Sequence, residues 1–200
     1  MADAGLAAKV AFYGVIVCWW GFVLTFWLRK RPAAEARPVQ RDASSYLGLI
    51  LQAVGYFLVW FRMLRYRGLS LIAFRAGWLE WTRALIAVGM AAASTLLVIW
   101  AARCLGKQWS LGARVVKDHE LIRDGPYRFV RNPIYAGMFG MLIATGLVGT
   151  HWLVLLVAAI VFAIGTYIRI RIEERLLRQA FGPRFDEYAR EVPALIPWIY

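Results

Sequence analysis

The chain has 200 residues, 61% of them hydrophobic, and a formal net charge of +12. Soluble domains are about 45–50% apolar, so this composition excludes an ordinary soluble globule and points to one compact integral membrane unit. The charge falls in blocks between uncharged runs, where Lys and Arg face anionic headgroups, so the basic balance does not imply a nucleic-acid partner.

The first apolar run covers residues 10–28 and is stopped by Arg29, Lys30 and Arg31. Only Lys9 precedes it and basic residues follow, so it reads as a retained span rather than a cleaved leader. The sequence RKRPAAEARPVQRDASS comes next, with two prolines and mixed charge, and is an exposed connector. The second predicted span is residues 44–61, ended by Arg62, Arg65 and Arg67. Residues 69–81 are too short to span and carry Arg75, Trp78, Glu80 and Trp81; they read as an interfacial helix or lining loop. The third span is residues 84–102.

Residues 134–168 hold no Asp, Glu, Lys or Arg. As one helix they would reach roughly 50 Å, too long for one crossing. Gly146, Gly149, Thr150 and His151 break the run, which predicts a helical hairpin with span four at 134–147 and span five at 152–168. Five spans place the two ends on opposite sides. With the N-terminus outside, the loop after span one, residues 103–131 and the C-terminal tail are cytoplasmic and hold 5, 7 and 6 of the 24 Lys and Arg. That distribution favours this orientation, although five arginines between spans two and three run against it.

Cys18 and Cys104 fall in or at the end of apolar runs and read as small buried hydrophobes. His119 and His151 lack partners at ligand spacing, so no metal centre is expected.

Two polar blocks flank the hairpin: HELIRDGPYRFVRNPIY at 119–135 and RIRIEERLLRQAFG at 169–182. Gly125-Pro126-Tyr127 makes a tight turn. Pro133 suits the first position of a helix, with Asn132 as its N-cap. Turn and cap do not account for the density of Tyr127, Arg128, Phe129, Arg131 and Tyr135, groups that can stack on or hydrogen-bond to a nucleoside and attract a cation. In the second block Arg169 and Glu173 share one helical face, with Glu174 on the neighbouring stripe. Arg before Glu is the weaker order for a surface pair, and ionisable groups at a membrane boundary usually face a cavity or headgroups. Residues 181–200 are amphipathic and aromatic, and either pack over these blocks or lie in the interface.

As an ordered set, these residues resemble the isoprenylcysteine carboxyl methyltransferase family and its phospholipid methyltransferase relatives. The resemblance rests on His119, Leu121–Ile122, Gly125-Pro126-Tyr127, Arg131-Asn132-Pro133-Ile134-Tyr135, Arg169, Glu173–Glu174 and Phe181-Gly182, and covers about residues 105–198. It implies an all-α integral membrane protein of about five transmembrane helices, with a C-terminal helical hairpin and a cytoplasmic cofactor site. Residues 1–104 would be N-terminal membrane helices and connectors, and residues 105–200 the methyltransferase region.

The implied cofactor is S-adenosylmethionine, held by His119, Glu120, Leu121, Ile122, Tyr127, Asn132, Pro133, Ile134, Tyr135 and Glu173. Arg169 would hold the acceptor's carboxylate. The implied reaction is carboxyl O-methylation of an isoprenylcysteine-like or other lipophilic acceptor entering from the bilayer. An amine acceptor on a phospholipid would instead need Glu173 or Glu174 as base. A third reading is an NADPH-dependent sterol or enone reductase, with Arg128 and Arg131 on the cofactor phosphates. Asn132 stands where the family usually has His; it can donate and accept hydrogen bonds but carries no charge. Composition and short loops point to a bacterial inner membrane.

Overall fold

A computed structural model describes residues 2–28, 40–41, 45–65, 77–106, 114–115 and 121–195. The helices are α1 (Ala2–Leu28), α2 (Ser45–Arg65), α3 (Gly77–Leu105), α4 (Pro133–Gly149), α5 (Trp152–Phe181) and α6 (Pro183–Glu191), with a 3-10 turn at Gly125–Arg128 before α4. Two short strands, β1 (Gln40–Arg41) and β2 (Arg114–Val115), pair antiparallel with Gln40 opposite Val115. They tie the connector after α1 to the connector after α3. The C-terminal ends of α1, α3 and α5 therefore meet the N-terminal ends of α2 and α4 at one end of the bundle, called the mouth below.

Among the described residues, four helices are long and apolar enough to cross a membrane: α1, α2, α3 and α5. This is the architecture of an integral membrane protein. The shorter α4 has 17 residues, or about 26 Å at 1.5 Å per residue, and falls short of that length, so the five expected spans correspond to four helices of spanning length and this shorter one. No residue of α4 is exposed. It packs against α1, α2, α3 and α5, as a helix apolar on every side should.

The start of α3 corrects the expected interfacial segment. Residues 77–81 are the first turn of a continuous helix, and 69–76 lie outside the described residues. Glu80 and Arg83 do not break that helix because they neutralise each other at 2.6 Å, with Glu80 only 3% exposed. The hairpin break falls where the sequence places it. α4 ends at Gly149, the Thr150 amide returns to the Gly146 carbonyl at 2.9 Å, and the His151 ring accepts from the Leu153 amide at 3.2 Å. α5 runs on well beyond residue 168, so its last turns carry the second polar block straight out of the apolar layer.

Small residues set the packing, as they do between helices in lipid. Ala7 and Ala11 on α1 join Ala84, Ala87 and Ala91 on α3 in one core. On the other side α2 and α5 cross closely at Gly48 and Gly165. A Cβ on Gly165 would stand 2.6 Å from the Gly48 carbonyl oxygen, so neither position has room for a side chain. A buried hydrogen bond from Gln52 Nε2 to Thr166 Oγ1, 2.9 Å long, fixes the register of this pair. On α4, Tyr56 of α2 donates to the Met138 carbonyl at 2.7 Å, and Trp19 of α1 donates to Thr145 Oγ1 at 2.9 Å.

Candidate functional site

Tyr135 stands in the first turn of α4, and Arg169 and Glu173 stand one turn apart on α5. Proline at the start of α4 fixes where that turn begins. The three side chains close a triangle at the mouth. Tyr135 Oη donates to Glu173 Oε1 at 2.5 Å. Arg169 Nε donates to Tyr135 Oη at 2.7 Å, and Arg169 Nη2 reaches the same Glu173 oxygen at 3.3 Å. The guanidinium carbon lies 5.4 Å from the Tyr135 ring centroid. Arg169 is 5% exposed and Tyr135 7%, while about a quarter of the Glu173 side chain stays accessible. A guanidinium this buried needs a counter-charge and filled donors. Glu173 supplies the charge, and a tyrosine from another helix locks the pair. This is more than the surface ion pair that i, i+4 spacing alone would give.

A second group lies beside it. Arg131 Nε donates to Glu174 Oε1 at 2.9 Å, and Nη1 donates to the Ala189 carbonyl at 2.7 Å and to the Val192 carbonyl. The Arg131 amide donates to the Pro193 carbonyl at 2.9 Å, and the Asn132 amide to the Ala194 carbonyl at 3.1 Å. Asn132 Nδ2 donates to that same Ala194 oxygen at 2.9 Å. The chain after α6 is thus strapped across residues 131–132. Glu174 also lies 3.8 Å from Arg178, which binds Asp186 at 2.9 Å.

Asn132 corrects an expectation. It sits at the N-cap position of α4 but makes no capping bond with its side chain. Its amide is turned to the strap instead, and the missing amide of Pro133 leaves less for a cap to satisfy.

The turn before α4 is docked on the end of α3. Gly125 has φ +62°, a left-handed conformation, and a Cβ there would meet Cys104 Sγ at 2.6 Å and Trp100 Nε1 at 3.0 Å. Only glycine answers both constraints. The buried Tyr127 follows, and its carbonyl accepts from Tyr188 Oη of α6 at 2.7 Å. Burial holds the Tyr127 hydroxyl well above the usual tyrosine range. Burial also pushes Tyr188 up to about 12, against the opposing pull of Arg131 and Arg123. Arg123 lies 5.3 Å from the Tyr188 ring centroid. Phe185, Tyr188 and Val192 form an apolar cluster with Leu121 and Phe181. The described part of the tail therefore packs back over the polar blocks.

The expected site residues fall into place unevenly. Tyr135, Arg169 and Glu173 meet in the triangle. Asn132 and Glu174 belong to the strap, on either side of Arg131. Leu121 packs on α6, Tyr127 is tied to it, Pro133 is buried, and Ile122 and Ile134 are half-buried. His119 and Glu120 lie outside the described residues. Sequence reasoning assigns no structural role to Tyr188, and gives Arg131 ligand-facing roles but no part in holding the tail. Their signal was the amphipathic tail and a basic residue beside the helix-starting proline.

Chemically, the mouth offers a buried guanidinium held in one orientation and a carboxylate with an accessible edge.

The chain is similar in sequence to several known proteins. A family model described as phospholipid methyltransferase matches residues 82–184, just over half of the chain. The chain is 32% identical over 133 residues to the nickel-cobalt-cadmium resistance protein NccN of Alcaligenes xylosoxydans xylosoxydans, covering 64% of this chain and 59% of that protein. It is 35% identical over 83 residues to the protein-S-isoprenylcysteine O-methyltransferase of Schizosaccharomyces pombe, covering 42% of this chain and 35% of that one. It is 36% identical over 73 residues to the methanethiol S-methyltransferase of Crocosphaera subtropica, covering 36% and 28%. The aligned stretches thus span less than two thirds of each of these relatives.

Proposed function

The chain belongs to the phospholipid methyltransferase family, and on that premise we propose that it is a membrane enzyme transferring the methyl group of S-adenosylmethionine to the carboxylate of a lipophilic acceptor, of isoprenylcysteine type. The observation that carries this reading is the Tyr135–Arg169–Glu173 triangle at the mouth of the bundle.

The residues present fit the cofactor. Its amino-acid ammonium or ribose hydroxyls match the accessible edge of Glu173. Leu121, Ile122, Tyr127, Pro133, Ile134 and Tyr135 line the same end, next to His119 and Glu120 in sequence. Asn132 contributes by fixing the strap that bounds the site. When bound, S-adenosylmethionine supplies a methyl group on sulfur that a carboxylate oxygen can attack without a general base.

The chain's own work is then alignment. Arg169 orients the acceptor carboxylate by charge-assisted hydrogen bonds. Glu173 and Tyr135 hold Arg169 still. Glu173 also offsets part of its charge, so that the nucleophile is not fully neutralised. The bulk of α4, buried between its neighbours, keeps water from the deep side.

Carboxylate methylation is favoured over amine methylation by the state of the two carboxylates. An amine needs a proton removed, yet Glu174 is bound by Arg131 and lies close to Arg178, while Glu173 already receives Tyr135 and Arg169. The reductase reading loses one of its two phosphate ligands, because Arg131 is committed to Glu174 and the strap. The thiol acceptor in the name of one relative keeps a small thiol in the acceptor screen. The Lys and Arg distribution supports a cytoplasmic mouth in a bacterial inner membrane.

Calorimetric titration of the detergent-purified protein with S-adenosylhomocysteine, beside NADPH and NADP, tests the reading. Saturable binding of the first alone, lost in Glu173→Ala, is expected. Binding of NADPH instead overturns it. Labelled methyl transfer to N-acetyl-S-farnesylcysteine, to phosphatidylethanolamine and to a thiol then separates the acceptor classes.

A further inference from the structure

Gly48 lies on α2, outside the residues matched by the family model, yet it touches Arg169. A Cβ on Gly48 would stand 2.5 Å from Arg169 Cγ, 3.4 Å from Cδ and 2.7 Å from the Gly165 carbonyl oxygen. The stem of Arg169 therefore occupies the space a side chain at position 48 would need. One obstacle is a backbone oxygen and the other is the near part of the arginine, so neither can swing away freely. Arg169 is held at both ends: α2 backs its stem, and Tyr135 and Glu173 hold its head.

The register that sets Gly48 opposite Arg169 is itself pinned. Gln52 lies one turn beyond Gly48 on the same face of α2, and Thr166 lies one turn before Arg169 on α5. Their 2.9 Å hydrogen bond is buried, with Gln52 1% and Thr166 2% exposed. A slip of either helix would break this bond where no water can replace it.

We propose that Gly48 is a positioning residue for the transfer reaction: its bare backbone sets the path of the Arg169 stem and so aims the guanidinium at the acceptor carboxylate. The proposal rests on the reading of Arg169 as the acceptor-holding group, and it adds a residue of the N-terminal helices to that site. Gly55 is a built-in control. A Cβ there would meet the Ala158 carbonyl oxygen and Phe162 Cβ at 3.0 Å, deeper in the same helix pair and away from Arg169.

The test compares Gly48→Ala, Gly55→Ala and Arg169→Ala for thermal unfolding, S-adenosylhomocysteine affinity and steady-state methylation of N-acetyl-S-farnesylcysteine. In Gly48→Ala, kcat/KM for the acceptor should fall by about 10- to 100-fold, as sub-ångström to ångström misplacement does, with cofactor affinity within about twofold. Gly55→Ala should keep the turnover of its folded fraction. An equal loss in Gly55→Ala, or full turnover in Gly48→Ala while Arg169→Ala is inactive, overturns the proposal. Full turnover in Arg169→Ala would overturn the reading of Arg169 itself, and Gly48 with it. A stability cycle needs no acceptor. The Gly48→Ala/Arg169→Ala double variant should lose less Tm than the two single losses together, because truncating the stem relieves the clash; strict additivity overturns the proposal.

Discussion

Tyr135 and Glu173 share a 2.5 Å hydrogen bond between two helices, and the same tyrosine hydroxyl accepts from Arg169. The tyrosine is therefore the hinge pin of the site. It turns an i, i+4 pair on one helix into a three-way junction that spans the mouth.

Tyr135→Phe removes only that hydroxyl. Arg169 Nε then loses its acceptor and Glu173 loses its strongest donor. A buried donor left unmade costs about 1–3 kcal/mol. Thermal unfolding should register a loss in that range, and methyl transfer should fall by more than the unfolded fraction explains, since the guanidinium is no longer locked.

Arg131→Lys tests the strap. A lysine keeps the charge but not the planar fork that reaches Glu174, Ala189 and Val192 together. Breaking a buried ion pair costs about 3–5 kcal/mol, and keeping a charge at position 131 should reduce that loss. Amide hydrogen exchange should speed up in residues 188–194 first, while the α1–α3 core remains protected. Unchanged exchange there would refute the clasp.

Asn132→Asp and Asn132→His should differ. The aspartate places an acceptor against the Ala194 carbonyl, where the asparagine donates. Tail docking should weaken by roughly 1–3 kcal/mol, the penalty of a buried unpaired polar group. Histidine keeps a donor and should retain tail docking. Proteolytic cutting between α6 and the strap reads the difference.

Alkaline stability follows from Tyr188. Its folded value near 12 lies above the ordinary 10.0, so folding favours the neutral phenol. The stabilisation tied to that shift is complete below pH 10 and is lost as pH rises through 12. Tm measured from pH 9 to 12 should fall less steeply in Tyr188→Phe than in the unsubstituted protein.

The hairpin break and both polar blocks were legible in the sequence because each is written in local signals: Gly149 to His151, proline before α4, and charges after a long apolar run. The triangle was legible in membership but not in form, since spacing pairs Arg169 with Glu173 and says nothing of Tyr135. The start of α3 was hidden because Glu80 and Arg83 look like a boundary until their mutual neutralisation is seen. Asn132 reads as a cap in sequence; a tail carbonyl outcompetes the helix for its amide. Gly48 was invisible, since a glycine in an apolar run carries no mark of the arginine that crosses it from another helix.

The strap also orders biogenesis. Arg131 and Asn132 are synthesised before the hairpin, but the carbonyls of Ala189, Val192, Pro193 and Ala194 that engage them come after α5. Until those residues leave the ribosome, the guanidinium of Arg131 lacks most of its partners and is better off in water. Closure of the site therefore waits on residues 189–194, and a chain truncated before them would keep α1 to α5 while lacking the strap that bounds its chemistry.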